Sequence, residues 1–376
     1  MSTKVKKPLP VWADVALIPL INILLALFVA GLIVLAIGED PFEALEILIL
    51  GAFGYEESLG YTLYYTTNFI FTGLAVAVAF HASLFNIGGE GQAYIGGLGV
   101  GLILLALDGI LPFWMLLPLA IMAAALFGTA WVAVPAYLQA YRGSHIVITT
   151  IMFNFIAYFL MNYLLVDVIK APAQMSPESR VFADNAHMPF MHEILGWFGI
   201  ETAATPLNGS LFWAVVCCIF VWIFIWRTRW GYMLRTVGQN ESAAQYAGID
   251  SRKIVMVALG ISGALAGFVG MNEVMGVHHK VLLNFVAGYG FTGIAVSLMG
   301  RNHPVGIVLA SLLFGILYQG GAELAFEIPA FSREFVVAIQ GLIILFCGAL
   351  TYMCKPWIEG LFYMLQSDPK PAEKEA

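Results

Sequence analysis

Asn86, Glu90 and Gln92 stand together in one glycine-rich stretch, FNIGGEGQ, of a chain whose side chains are otherwise mostly apolar. A carboxylate or an amide at membrane depth is costly, so these three must face protein, water or cargo. Two roles suit them: holding an interrupted helix in shape while lining a path, or capping that helix and nothing more. Thr149, Thr150 and Asn154 form a second group, with positions 150 and 154 one helical turn apart on one face. Hydroxyl and amide groups there would hydrogen-bond a ribose or a base, or else join two helices, a common use of Thr and Asn in membranes. Glu273 with His278 and His279, and the looser set Asp184, His187, His192 and Glu193, raise a proton relay or a metal ion. Adjacent histidines point to different sides of a helix and neither set offers a third ligand at a convincing spacing, so no metal site is assigned.

Other patterns carry less. GYGFTG, with Gly288, Gly290 and Gly293, satisfies the dinucleotide fingerprint on paper. No soluble strand precedes it, and the next carboxylate, Glu323, is about thirty residues on where about twenty is wanted, so its glycines fit a helix break better. Gly263 and Gly267 make a GxxxG face suited to helix packing. Cys217, Cys218, Cys347 and Cys354 lie in or beside apolar runs without Cys-x-x-Cys spacing and read as packing residues. No lysine follows a glycine, so a Walker A loop is missing and ATP must be bound elsewhere if it drives this protein. No nucleophile and base stand at a catalytic spacing, and no catalytic residue is assigned.

The elements that position these groups are membrane helices. Hydrophobic residues make up 60% of the chain and charged residues 11%, with mean hydropathy +0.86; soluble domains carry roughly a quarter charged residues. The net charge of -7 argues against a nucleic-acid partner. A hydrocarbon core of about 30 Å needs about 20 helical residues. Runs of that order predict ten segments in an all-α polytopic bundle: 15–38, 61–80, 93–107, 111–134, 146–166, 211–226, 254–275, 290–299, 305–318 and 335–353, several of them short. With both termini cytoplasmic, thirteen of the 17 Lys and Arg fall inside and four (Lys170, Arg180, Lys280, Arg333) outside, the asymmetry expected of that orientation. Residues 1–376 then form one transmembrane domain, with an uncleaved first helix at 15–38, a first half at 61–166, an outer loop at 170–210 broken by Pro172, Pro177, Pro189 and Pro206, a cytoplasmic loop at 227–253 and a second half at 254–353. Interruptions at 85–92 and 284–293 occupy matching places in the two halves; unwound backbone at such depth marks a transport site.

The basic loop RTRWGYMLRTVGQNESAAQYAGIDSRK carries its own helix signals, with Asn240 as N-cap, Glu241 in the first turn and Gly248 as terminator. The run LRTVGQNESAAQYAGID resembles the coupling loop of ABC-transporter permeases of the branched-chain amino acid, ribose and nucleoside importer superfamily. FNIGGEGQAYIGG (85–97), GSHIVITTIMFNFIA (143–157) and GFTGIAVSLMGRNHPVGIVLASLLFG (290–315) are similar to its nucleoside and simple-sugar branch. Gln245 departs from the pattern where a basic residue is expected before Tyr-Ala-Gly.

The resemblance implies a permease subunit of the bacterial plasma membrane, with no cofactor of its own, working by alternating access. Its implied partners are an ABC ATPase that binds the ATP, a second permease subunit (homologue or self) and an extracytoplasmic substrate-binding protein docking on the outer loop. Coupling to the ATPase falls on a helix from Arg235 to Gly248, with Gly238, Glu241, Ala243, Ala244 and Ala247 between them. The translocation path takes Asn86, Glu90, Gln92, Thr149, Thr150, Asn154 and Phe291. Nucleosides fit the signatures best, simple sugars next and branched-chain amino acids less well. From another class, an ion-coupled secondary transporter would use Glu90, Asp108, Asp167 and Glu273 as coupling carboxylates.

Overall fold

Apolar runs of this length satisfy their backbone inside lipid by forming helices, and the described chain is helical nearly throughout. The computed structural model describes residues 17–172, 174–331 and 333–348. The helices are α1 Ile18–Ile37, α2 Pro41–Phe53, α3 Glu56–Phe80, α4 Gly89–Leu107, α5 Phe113–Arg142, α6 Ile146–Tyr163, α7 Met191–Gly196, α8 Ser210–Arg227, α9 Arg229–Gln239, α10 Glu241–Tyr246, α11 Ser251–Gly267, α12 Tyr289–Met299, α13 Pro304–Glu327 and α14 Arg333–Gly348. Two π-helical stretches, Leu164–Val168 and Met271–His278, prolong α6 and α11. Eight helical stretches among the described residues are long and apolar enough to cross a membrane.

Contacts divide the chain into two units, residues 48–321 and the two terminal portions together. In the terminal unit α1 packs on α14, and Val34, Ala44, Leu324 and Phe331 form a small core. In the larger unit α3 is buried over most of its length, with α11 and α12 packed on it. α5, α6 and α8 bury one edge and turn Leu126, Phe155, Phe159, Phe212 and Ile219 outward. A solvent-facing surface would not be built of such residues; a lipid-facing one is. Small residues let the inner helices approach closely, since a Cβ on Gly263 would meet the Gly128 backbone and one on Gly267 the Ala124 carbonyl.

Several expected boundaries move. The second expected segment begins at Glu56 and the ninth is a helix of 24 residues, because Gln319, Gly320 and Gly321 are carried in helix beyond Tyr318. α2 was not anticipated by hydropathy; Glu43 and Glu46 dilute its 13 residues. Residues 349–353 of the tenth expected segment, Cys354 and the terminal lysines lie outside the described residues.

Candidate functional site

Asn86, Glu90, Gln92, Thr150 and Asn154 converge where two helix breaks meet. The first break runs from His81 to Gly88, earlier than 85–92, so that Glu90 and Gln92 belong to the first turns of α4. Asn86 and Gln92 are both buried and exchange two hydrogen bonds, Asn86 Nδ2 to Gln92 Oε1 at 3.0 Å and Gln92 Nε2 to Asn86 Oδ1 at 3.1 Å. Asn86 also donates to Ser262 Oγ at 2.9 Å, which ties the break to α11. Buried backbone outside a helix needs partners, and α6 supplies them. Thr150 Oγ1 accepts from the Ile87 amide at 3.3 Å, while Asn154 accepts from the Gly91 amide and donates to the Ile87 carbonyl, each at 2.9 Å. Thr150 and Asn154 thereby join α6 to the first break and to the first turn of α4.

The second break spans His279 to Gly288, earlier than 284–293. Asn284 and Ala287 adopt positive φ there, and Gly288 (φ 86°) leads into α12. Glu90 crosses to this segment: Oε1 accepts from the Gly288 amide and Oε2 from the Gly290 amide, both at 2.9 Å. A carboxylate on first-turn amides is in its favoured place, since those groups lack helical partners and the dipole is positive there. Gly290 lies on the Gly89–Glu90 backbone so closely that a Cβ would overlap it. Tyr94 of α4 adds a hydroxyl bond to Asn284 Oδ1 at 3.3 Å.

The two breaks enter from opposite ends of the bundle. The first adjoins the basic segment: Ser83 Oγ donates to the Gly238 carbonyl at 2.6 Å, and His81 Nε2 lies 3.0 Å from the Asn302 carbonyl. The second adjoins the 170–210 loop, through the Phe182 amide on the His279 carbonyl at 2.8 Å and the Ser179 amide on the Val281 carbonyl at 2.9 Å. Thr149 and Phe291 do not join this constellation. Thr149 bonds back to its own helix, and Phe291 is 49% exposed. Ser262, Tyr94 and Asn284 do join it and were not selected from sequence; a lone Ser on an apolar helix gave no signal.

The basic segment corrects the expected single helix from Arg235 to Gly248. It is two helices, because Asn240 is extended (φ -160°, ψ 106°) and its Oδ1 caps α10 by accepting from the Ala243 amide at 3.0 Å. Arg235 and Gly238 therefore sit on α9, Glu241, Ala243 and Ala244 on α10, and Ala247 at its end. Gly248 (φ 75°) closes α10, with its amide on Gln245 O and that of Ile249 on Ala244 O, both 2.9 Å. Thr228 caps α9 and Asp250 caps α11, so each turn is specified locally. α10 buries Ala244 and projects Glu241, Gln245 and Tyr246 outward. α9 buries Leu234 and Val237, and at Gly238 a Cβ would strike the His81 carbonyl. α9 thus rests directly on the first break.

The other carboxylates have fixed partners or none. Asp108 pairs through both oxygens with Arg180, at 2.7 and 2.9 Å, and also accepts from the Ala183 amide. The Arg180 hydrogen bonds hold its carboxyl below the usual range despite desolvation. Glu273 is buried and accepts from Tyr64 at 2.6 Å and Asn68 at 2.5 Å, with His278 Nε2 at 3.4 Å. Asp167 is exposed. Glu90, Asp108, Asp167 and Glu273 therefore do not line up as a relay. Among the described residues no group of three His, Cys, Asp or Glu is placed to hold a metal ion.

Similarity to known proteins follows the same stretches. Residues 58–348 match the family described as branched-chain amino acid transport system / permease component. The chain is 37% identical to the guanosine ABC transporter permease protein NupP of Bacillus subtilis, over 89% of this chain and 93% of that one. It is 32% identical to the nucleoside ABC transporter permease protein NupB of Lactococcus lactis, over 88% and 90% respectively. It is also 32% identical to a glucose ABC transporter permease protein of Haloferax volcanii, over 98% and 96%. No solved structure matches. With the family pattern covering both helix breaks and the capped α9–α10 pair, this chain belongs to the permease components of the branched-chain amino acid transport system family.

Proposed function

We propose that this chain carries nucleosides through the plasma membrane by alternating access, as one permease of an ATP-driven importer. It is a multi-pass plasma-membrane transport subunit rather than an enzyme, and its family works with a separate ATPase and a substrate-binding protein. The observation that carries the reading is the meeting of two unwound segments, entered from opposite ends and clasped by Glu90, with α9 seated on one of them. Closure of the partner ATPases pushes on Glu241, Gln245 and Tyr246 of α10. Asn240 is a stiff corner, so the push passes into α9 and from Gly238 to the backbone at His81–Ser83. Movement of that break strains the Glu90 clasp and shifts the second break, which adjoins the 170–210 loop. The path runs beside this clasp, with Asn86, Gln92, Thr150 and Asn154 shaping it, and a second permease subunit completes it.

Nucleoside as cargo is supported by the guanosine and nucleoside permeases above. A simple sugar is the second reading, supported by the glucose permease, which this chain matches over 98% of its length. Uptake of labelled guanosine, ribose, glucose and leucine into cells expressing the whole transporter separates them. Guanosine uptake competed by other nucleosides is expected; saturable glucose uptake unaffected by nucleosides would overturn the first reading.

A further inference from the structure

A cleft of about 650 Å³ opens between α5 and α8 at the end of the bundle that carries the 170–210 loop. That volume is in the range of small-molecule sites. Phe113, Leu117 and Ile121 form one wall, Phe212 and Val216 the other, and Met271 of the π-helical stretch lines it as well. Phe212 and Val216 are about half exposed on the lipid-facing side of α8, so the cleft is continuous with the surface that meets the bilayer. Trp114 (78% exposed) and Trp197 (71% exposed) also line it. Exposed tryptophans sit at the headgroup level of a membrane, so the cleft runs from that level into the hydrocarbon.

The lining is polarised in the same sense. Its polar side chains are Asp184, Asn185 and His187 from one short stretch of the loop, and Trp213 of α8, also in the lining, holds a buried indole N–H without a hydrogen-bond partner among the described residues. Among the described residues Asp184 has no ion-pair partner, and no lysine or arginine lines the cleft. Asn185 spends its amide nitrogen on the Asp108 and Leu111 carbonyls, which leaves Oδ1 as an acceptor. The His187 ring bonds the Phe182 carbonyl and stacks on His279 at 3.7 Å. The polar end thus offers acceptors and negative charge, and the rest offers apolar and aromatic surface.

We propose that this cleft holds one membrane phospholipid with a primary-amine headgroup, its ammonium group donating to Asp184 and Asn185 and one acyl chain lying between α5 and α8. A glycerol headgroup brings no cation to offset the Asp184 carboxylate, and a quaternary amine has no N–H to donate. The acyl chain would lie against Leu117, Ile121, Phe212 and Val216.

Binding is read without any transport assay, so its outcome is independent of the cargo. Full-length protein is exchanged into nanodiscs of palmitoyl-oleoyl phosphatidylethanolamine mixed equally with the phosphatidylglycerol or phosphatidylcholine analogue, and retained lipids are counted by native mass spectrometry. One phosphatidylethanolamine should be retained about fivefold over either competitor, the size of one partly exposed ion pair. Asp184→Asn, at an exposed position, should erase that preference while a chain is still retained. Val216→Trp, which fills the cleft from its lipid-facing side, should lower retention of every headgroup. Equal retention of the lipids by the unaltered protein, an unchanged preference in Asp184→Asn, or a bound lipid that survives Val216→Trp would overturn the assignment.

Discussion

Removing the Glu90 carboxylate should release the second break from the first. Its two oxygens accept from the Gly288 and Gly290 amides at 2.9 Å. Hydrogen bonds to a charged group contribute about 1.5–3 kcal/mol each, and a buried amide left unpaired costs about 1–3 kcal/mol. Glu90→Ala takes away both acceptors, so the contact between α4 and the start of α12 should weaken by about 3 kcal/mol, or roughly a hundredfold in the population of the open form. Glu90→Gln keeps one acceptor and presents an NH2 group to the other amide; about 1.5 kcal/mol, near tenfold, is expected. The assay is hydrogen exchange at residues 288–292 in the purified transporter, beside ATP-driven uptake at matched membrane levels. Exchange should speed up in the order Ala, Gln, unaltered protein, and uptake should fall in the same order. Unchanged exchange together with full uptake in Glu90→Ala would refute the clasp.

Three further outcomes follow from the same geometry. Gly290→Ala forces a methyl group into the Glu90 backbone and should cost about 1–3 kcal/mol with loss of uptake, whereas Gly260→Ala, whose nearest neighbour would be Thr129 Cγ2 at 3.5 Å, should be neutral; comparing thermal melting of the two checks this. Gly248→Arg puts a side chain at φ 75°, at about 1–2 kcal/mol, and should lower uptake per ATP hydrolysed without changing membrane insertion, as should Arg235→Ala combined with Glu241→Ala. Burial first, and the neighbouring His187 second, push the His279 pKa down. Its neutral form is therefore the one the fold favours, and the stabilisation is complete above the ordinary histidine pKa of about 6.5 and is lost as pH falls below it. Proteolysis within residues 179–190, whose Phe182 amide bonds the His279 carbonyl, should accelerate below pH of about 6, and His187→Gln should flatten that dependence.

Local signals were legible in the sequence, and long-range ones were not. Asn240 and Gly248 were readable as cap and terminator because each acts through its own backbone neighbours. Gly263 and Gly267 were readable as a packing face because lipid offers helices little else to recognise. The start of α9 escapes a hydropathy window because its apolar face is short and Arg229 and Arg235 interrupt it; only its last residues, from Arg235, fall within the helix expected there. The register of both breaks slipped by several residues, because where a helix resumes depends on partners far along the chain, such as Thr150 and Asn154 for the first and Glu90 for the second. Glu90 itself was picked out for its cost in lipid, but its bond to Gly288, 198 residues away, could not be inferred from spacing. The π-helical stretch at Met271–His278 is likewise invisible in composition; it brings His278 to 3.4 Å from Glu273.

On the proposed mechanism this subunit moves cargo only when a separate ATPase works α10. Reconstitution of the purified transporter, with and without its ATPase, into vesicles that lack any ion gradient measures it directly. Guanosine accumulation that requires both the ATPase and enclosed ATP is predicted, and accumulation by this chain alone under an imposed proton or sodium gradient would contradict it.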